Sequence, residues 1–343
     1  MPFDFIEGFD RYASTGSLGF QGRWLAALNS NNTAQLFTGR FGARCLRLRS
    51  LVGGGFIERL AKPSTRYGMQ VAFKANHSAM KTVPYRIARW KAAGGAVQAA
   101  WGIDEMGRIS VYNAANVAVF TSDGFEIAND GWTYIEMWVK HSATLGEVRL
   151  KINGETIYYG TNLNTGSLPI ERIQFTYGDD DTIAGENTYF LDDMVTVYDE
   201  DDTPGESAAL VFRPSADVSV DFTRLSGDTN ADMVDEEQVD AEVTYNYSNT
   251  VGHTDIFELS DLTTTPEEIK AIFISIAARK EDSGTRQLEY FLVIDGTEYS
   301  LDIAYLGGSY EFYEVVVELN PATGLAWLPA EVNALRIGYR ILE

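Results

Sequence analysis

The stretch "WTYIEMWVKHSATLGEVRLKINGETIYYG" (132–160) constrains the fold more than any other. Apolar and polar residues alternate at period two on both sides of Asn153-Gly154. A two-residue hairpin turn needs positive φ at both of its central positions, and Asn-Gly supplies it. "FLVIDGTEYSL" (291–301) repeats the device around Asp295-Gly296. Further alternating runs are "GMQVAFKA" (68–75), "YRIARWKA" (85–92), "RISVYN" (108–113), "ERIQFTYG" (171–178) and "YFLDDMVTVYD" (189–199). Later come "ALVFRP" (209–214), "AEVTYNYS" (241–248), "AIFISIAARK" (271–280), "YEFYEVVVELNP" (310–321) and "ALRIGYRIL" (334–342). Strands this dense, separated by Gly, Asn, Asp and Ser, predict an all-β chain of sandwich or jelly-roll type. Helix is expected only as single turns, at "TTPEEIKA" (264–271), with Pro266 at its first position, and at "LPAEVNAL" (328–335).

A chain of 343 residues is about two domains long. The polar run "DEDDTPGESA" (199–208) separates two complete strand sets. The expected division is a first sandwich over 1–200, a linker over 201–208 and a second sandwich over 209–343. No stretch reaches the roughly 20 apolar residues that span a bilayer. The opening "MPFDFIEGFDRY" lacks the charged-then-apolar order of a secretion signal. The single cysteine, Cys45, excludes an internal disulfide framework and a cysteine zinc site, and reads as a small buried hydrophobe.

The net charge is −22 and unevenly spread. Residues 1–110 carry 15 Lys/Arg against 6 Asp/Glu, whereas residues 205–343 carry 8 against 26. Phosphate neutralisation needs a basic surface, so nucleic acid is not the expected partner. The gradient favours contact between neighbouring copies, or with an oppositely charged partner.

Between Arg172 and Arg213 there is no Lys or Arg, while Asp179, Asp180, Asp181, Asp192, Asp193, Asp199, Glu200, Asp201 and Asp202 accumulate. Hard oxygen ligands on loops suit calcium. The metal candidates are Asp179, Asp180, Asp181 and Asp192, and calcium is the one cofactor the sequence admits. By strand alternation Asp192 and Asp193 should point to opposite faces. No catalytic residue is assigned. The Glu-x-Asp-x-x-Glu string of two-carboxylate hydrolysis is absent. His77, His141 and His253 are scattered, without a nucleophile elbow to serve, and His141 reads as a surface or cross-strand residue. "VGGGF" (52–56) lacks the Lys-Ser/Thr of a phosphate loop. Trp132 and Trp138 share a strand face and are expected in the core. Tyrosines and phenylalanines on both faces of "YNY" (245–247) and "YEFY" (310–313) suggest surface covered by assembly.

The segment from Trp132 to Gly154, then "IERIQFTYG" (170–178) and the Asp192-Asp193 pair of the closing strand, resembles the concanavalin A-like, laminin G-like jelly roll. "GFDRYA" (8–13) and "TGRFGARCLRLRS" (38–50) resemble its opening strands, so the resemblance covers about residues 1–200. "NPATGLAWLPAEVNALRIGYRIL" (320–342) and "ADMVDEEQVDAEVTYNYSNTVGHTDIFELSDL" (231–262) resemble the companion β domain that follows this sandwich in virion proteins of tailed bacteriophages. The resemblance implies a non-enzymatic virion structural protein, made in the host cytoplasm and placed in a tail fibre or tail-associated appendage. It would act by multivalent contacts as a homo-oligomer, with other virion proteins and a host-surface glycan as partners and no membrane insertion. The alternatives are a capsid decoration or head-fibre protein, and a glycan-binding lectin or glycoside hydrolase.

Overall fold

The computed structural model describes residues 3–9, 24–27, 32–40, 44–50, 55–75, 85–124, 126–177, 187–236, 240 and 242–343. Nearly every regular element among them is a strand, and the chain divides into two compact units, Met1–Ala209 and Leu210–Glu343. None of the described helices is long and apolar enough to cross a membrane.

In the first unit the strands are β1 (Phe3–Glu7), β2 (Leu25–Ala27), β3 (Asn32–Thr38), β4 (Arg44–Ser50) and β5 (Gly55–Ser64). There follow β6 (Arg66–Ala75), β7 (Tyr85–Lys91), β8 (Val97–Ile103), β9 (Ile109–Tyr112) and β10 (Ala118–Thr121). The set closes with β11 (Trp132–Lys140), β12 (Gly146–Ile152), β13 (Glu155–Leu163), β14 (Ile170–Tyr177) and β15 (Asn187–Tyr198). The larger sheet runs β13-β12-β11-β6-β15-β4-β3, with β1 also paired to β15. The second runs β10-β9-β8-β7-β14-β5-β2. Every pairing in both is antiparallel.

Alternation turns one set of side chains from each sheet inward. Leu48, Val71, Ile135 and Leu191 of the larger sheet join Ile57, Trp90, Trp101 and Ile173 of the other in one buried cluster. Phe73 of β6 meets Trp101 of β8 edge-on, with ring centroids 5.4 Å apart. The result is an antiparallel β-sandwich of jelly-roll type. The β12–β13 hairpin turns at Asn153 (φ 50°) and Gly154 (φ 82°), as the dipeptide predicts.

The second unit contains β16 (Pro214–Val220), β17 (Thr223–Arg224), β18 (Asn246–Tyr247), β19 (Thr254–Leu259) and β20 (Ile272–Ala278). Then come β21 (Gln287–Ile294), β22 (Thr297–Tyr305), β23 (Glu311–Val317), the short helix α1 (Pro329–Asn333) and β24 (Arg336–Ile341). A five-stranded sheet, β16-β19-β24-β21-β22, and the β20–β23 ribbon share a core of Ile274, Tyr290, Leu292 and Trp327. Helix α1 starts where expected: Pro329 is its first residue, and the Leu328 N–H donates to Glu331 Oε2 at 2.8 Å.

Three local expectations fail. Residues 264–271 form no helix, and Ile269 instead makes a β-bridge to Trp327. The run 209–214 is strand only at Pro214. Within 242–248 only Asn246–Tyr247 is strand, because the Thr244 N–H bonds the Asp240 carboxylate at 2.9 Å rather than a neighbouring strand.

Candidate functional site

The acid-rich stretch was the sequence's own candidate. Asp179, Asp180 and Asp181 lie outside the described residues. Asp192 is buried, and both of its oxygens are used. The Arg40 N–H donates to Oδ2 at 2.8 Å and the Asp193 N–H to Oδ1 at 2.9 Å. The expected alternation of Asp192 and Asp193 does not hold. A β-bulge interrupts β15 between Asp192 and Val195, and Asp193 takes a left-handed conformation (φ 48°). Both aspartates therefore meet Arg40, one at its backbone and the other at its guanidinium, 3.6 Å from Asp193 Oδ2.

Residues 199–209 form a strap over the outer face of the larger sheet. The residues expected as a linker, 201–208, thus pack on the first unit. Ile135, Met137 and Val139 of β11 face the sandwich core, so Tyr134, Glu136 and Trp138 face outward. The strap nonetheless leaves Trp138 only 3% exposed and Glu136 only 1%. Trp138 Nε1 donates to the Glu200 carbonyl at 2.6 Å, and the Thr203 hydroxyl to Glu136 Oε2 at 2.6 Å. Gln70 Nε2 donates to Ser207 Oγ at 2.9 Å, and the Ala209 N–H to Asp193 Oδ1 at 2.8 Å. Arg40 also pairs with Glu206. Trp138 is therefore buried, but beneath the strap and not in the sandwich core.

The strap acids find their cations on the sheet below them. Asp201 pairs with Arg66 at 2.7 Å, and Asp202 with Arg149 at 2.9 Å and Lys151 at 2.8 Å. Asp199 accepts the Ser64 hydroxyl at 2.6 Å. The absence of nearby basic residues in sequence is made good in space by β6 and β12. His141 is buried rather than at the surface. Its Nδ1 lies 2.7 Å from the Thr165 carbonyl, and burial pushes its pKa down to about 4 against the raising effect of that bond. His253 Nδ1 lies 2.8 Å from Ser248 Oγ in a turn, and His77 falls outside the described residues.

The second sheet carries a site that sequence reasoning missed. Ile173 and Phe175 of β14 point into the core, so Arg172 and Gln174 point out. Gln174 lies opposite Glu58 of β5 on one side and Arg89 of β7 on the other, and Arg172 lies opposite Lys91. Lys91 Nζ reaches Glu58 Oε2 at 2.7 Å, Arg172 Nη1 reaches Glu58 Oε1 at 2.8 Å, and Gln174 Nε2 reaches Oε2 at 3.1 Å. Glu58 is 4% exposed, while Lys91 and Arg172 retain 14% and 34% exposure. Burial acts to raise the Glu58 pKa. The hydrogen bonds and charges of Lys91 and Arg172 more than offset it, so the group stays below its ordinary value and is ionised. Beyond Arg89 the same face continues over Ala100 of β8 to Tyr112 of β9. The signal was present in "FIERL", "ARWK" and "IERIQ", where charged residues occupy the outward positions of central strands.

Fold and floor together define a jelly-roll sandwich with a charged, hydrogen-bonded outer face. No family model and no curated protein matches the chain. Several solved structures are similar in part. A cellulose-induced protein, Cip1, is 12% identical, with 56% of this chain and 96% of that one covered at a TM-score of 0.44. The alginate lyase vAL-1 from Chlorella virus is 13% identical over 53% of this chain and 96% of its own, with a TM-score of 0.42. The catalytic domain of a glycoside hydrolase family 131 protein from Coprinopsis cinerea is 8% identical over 60% and 98%, with a TM-score of 0.40. The description of the first unit rests on its own two sheets, and no activity is taken from these likenesses.

Proposed function

We propose that the chain is a non-catalytic attachment protein whose first unit holds saccharide on the outer face of its second sheet. The observation that carries this reading is the state of Glu58. It is buried, ionised and engaged by Lys91, Arg172 and Gln174. A general acid for glycoside cleavage needs a carboxyl held protonated near neutral pH, and Glu58 is tuned the opposite way. What remains is a rigid row of donors on adjacent strands, suited to gripping hydroxyl and anionic groups without reacting with them.

The setting we propose is the particle of a tailed phage, in a tail fibre or tail appendage. Weak contacts repeated over identical copies there become firm attachment. The acidic second unit fits a solvated or partner-facing role rather than nucleic-acid contact. Glycan-array binding by the purified chain, with a parallel assay for new reducing ends and unsaturated products, tests the molecular reading. Binding without turnover is expected. Turnover abolished by Glu58→Gln, or a blank array, would overturn it. Mass spectrometry of purified particles tests the setting, and absence of the chain from them would refute it.

A further inference from the structure

We propose that the second unit carries a saccharide site of its own, a tyrosine platform on the outer face of the β17–β18 ribbon that stacks against a neutral sugar ring. It is independent of the floor of the first unit. Asn246 of β18 points inward, where its Nδ2 donates to the Tyr339 hydroxyl at 3.0 Å and to the Asn230 carbonyl at 2.8 Å. Phe222, just before β17, also points inward and meets the Tyr339 ring edge-on at 5.0 Å. Strand alternation therefore turns Tyr245 and Tyr247 outward together, with Thr223 beside them. The two tyrosine ring centroids lie 5.9 Å apart, with 57° between the ring planes. Thr223 stands opposite Tyr247 in the register, and the Leu225 N–H donates to the Tyr245 carbonyl at 3.1 Å. Tyr247 is 49% exposed and Leu225 44%, so the face opens to solvent.

Polar groups border the Tyr245 end. Arg279 pairs with Glu242 at 2.8 Å and lies over the Tyr310 ring, 5.1 Å from its centroid. The Tyr310 and Tyr245 phenols are close enough to interact electrostatically. A sugar ring presents an apolar C–H face and a rim of hydroxyls. The tyrosine rings match the first, and the Thr223 hydroxyl, the Glu242 carboxylate and the Arg279 guanidinium match the second. Tyrosine offers this contact area with only two side-chain torsions to freeze. Charge selects the kind of sugar. Residues 205–343 carry 8 Lys/Arg against 26 Asp/Glu, which repels an anionic chain and leaves a neutral one unaffected. Size favours sugar over protein: a stable protein interface engages about 20–30 residues a side, whereas this face presents a handful of side chains.

The test is titration calorimetry of the full chain with four neutral probes: cellotetraose, maltotetraose, mannotetraose and the tetramer of N-acetylglucosamine. At least one should bind, and Tyr247→Ala should weaken it about tenfold. Tyr247→Phe keeps the ring and should retain most of the affinity. An affinity unchanged by Tyr247→Ala, or lost as fully with Tyr247→Phe, would overturn the inference and leave the first-unit reading standing. So would binding by none of the four probes when the glycan array is positive, whereas a blank array as well would remove both. A lower sedimentation coefficient for Tyr247→Ala with sugar affinity unchanged would assign the face to contact between copies, and would overturn the inference too. If Tyr247→Ala fails to fold, nitration of Tyr247 in the native chain decides: the bound tetrasaccharide should slow it several-fold, and absence of protection would refute the platform.

Discussion

Asp193 should make the first unit less stable at neutral pH than at mildly acidic pH, and Asp193→Asn should remove this penalty. The carboxyl is 2% exposed, accepts one hydrogen bond, from the Ala209 N–H, and has Arg40 as its nearest cation at 3.6 Å. Burial dominates these two lowering influences and pushes the pKa from 3.8 to about 6. In the unfolded chain the group ionises near its ordinary value, about 3.9. Its folded pKa is therefore raised, and the unfolded state gains more from ionisation. The cost is absent below about pH 4, grows between about 4 and 6, and is complete above the folded value. At about 1.4 kcal/mol per unit, a shift of roughly two units costs about 3 kcal/mol. Asparagine keeps the acceptor for Ala209, tolerates the left-handed backbone of this bulge and carries no charge. Urea denaturation at pH 4, 5, 6 and 7.5, followed by tryptophan fluorescence, measures the effect. Five of the six tryptophans lie in the first unit, so the signal reports mainly on it. The variant should be about 2–3 kcal/mol more stable than the native chain at pH 7.5, and nearly equal to it at pH 4. A variant equally or less stable at pH 7.5, or an advantage that does not shrink toward pH 4, would refute the reasoning.

Gly68→Val should loosen the strap: a Cβ at Gly68 would stand 2.8 Å from Val197 Cγ2 and 3.1 Å from Thr203 Cγ2. A loss of about 1–3 kcal/mol, with new protease cleavage between 199 and 209, is expected in limited proteolysis. Glu58→Ala removes the shared partner of Lys91 and Arg172, and should cost about 2–4 kcal/mol in a denaturant melt, discounted for the partial exposure of Arg172. Gly154→Ala forces a side chain into φ 82° at the β12–β13 turn and should cost about 1 kcal/mol by the same measurement.

The sandwich was legible because alternation and turn chemistry act locally. Asn153-Gly154 and Asp295-Gly296 announce hairpins without knowledge of any distant residue. The short edge strands were not legible: β2 spans three residues and β10 four, too few for a period to show. "AEVTYNYS" misled because its threonine bonds nearby carboxylates, a competition that alternation does not record. The strap was unreadable for a different reason. Its acids look unpaired in sequence, yet Arg66, Arg149 and Lys151 reach them from strands laid down earlier. The same long range hid the floor, since Glu58 and Arg172 are 114 positions apart. Asp193 shows the limit of face counting. A single bulge reassigns a side chain, and an Asp-Asp pair gives no hint of which member will take the left-handed turn.

The strap also dictates an order of events during synthesis. Its partners Gln70, Glu136 and Arg40 precede Ser207, Thr203 and Glu206 by 137, 67 and 166 residues. A ribosome delivers those partners long before the segment that shields them. Until Ala209 has left the exit tunnel, the nascent sandwich carries an open indole, a bare carboxylate and an unpaired amide on its outer sheet. That is the interval in which this half of the protein is most exposed to sticking to its neighbours, and it ends only when the first residues of the other half are already being made.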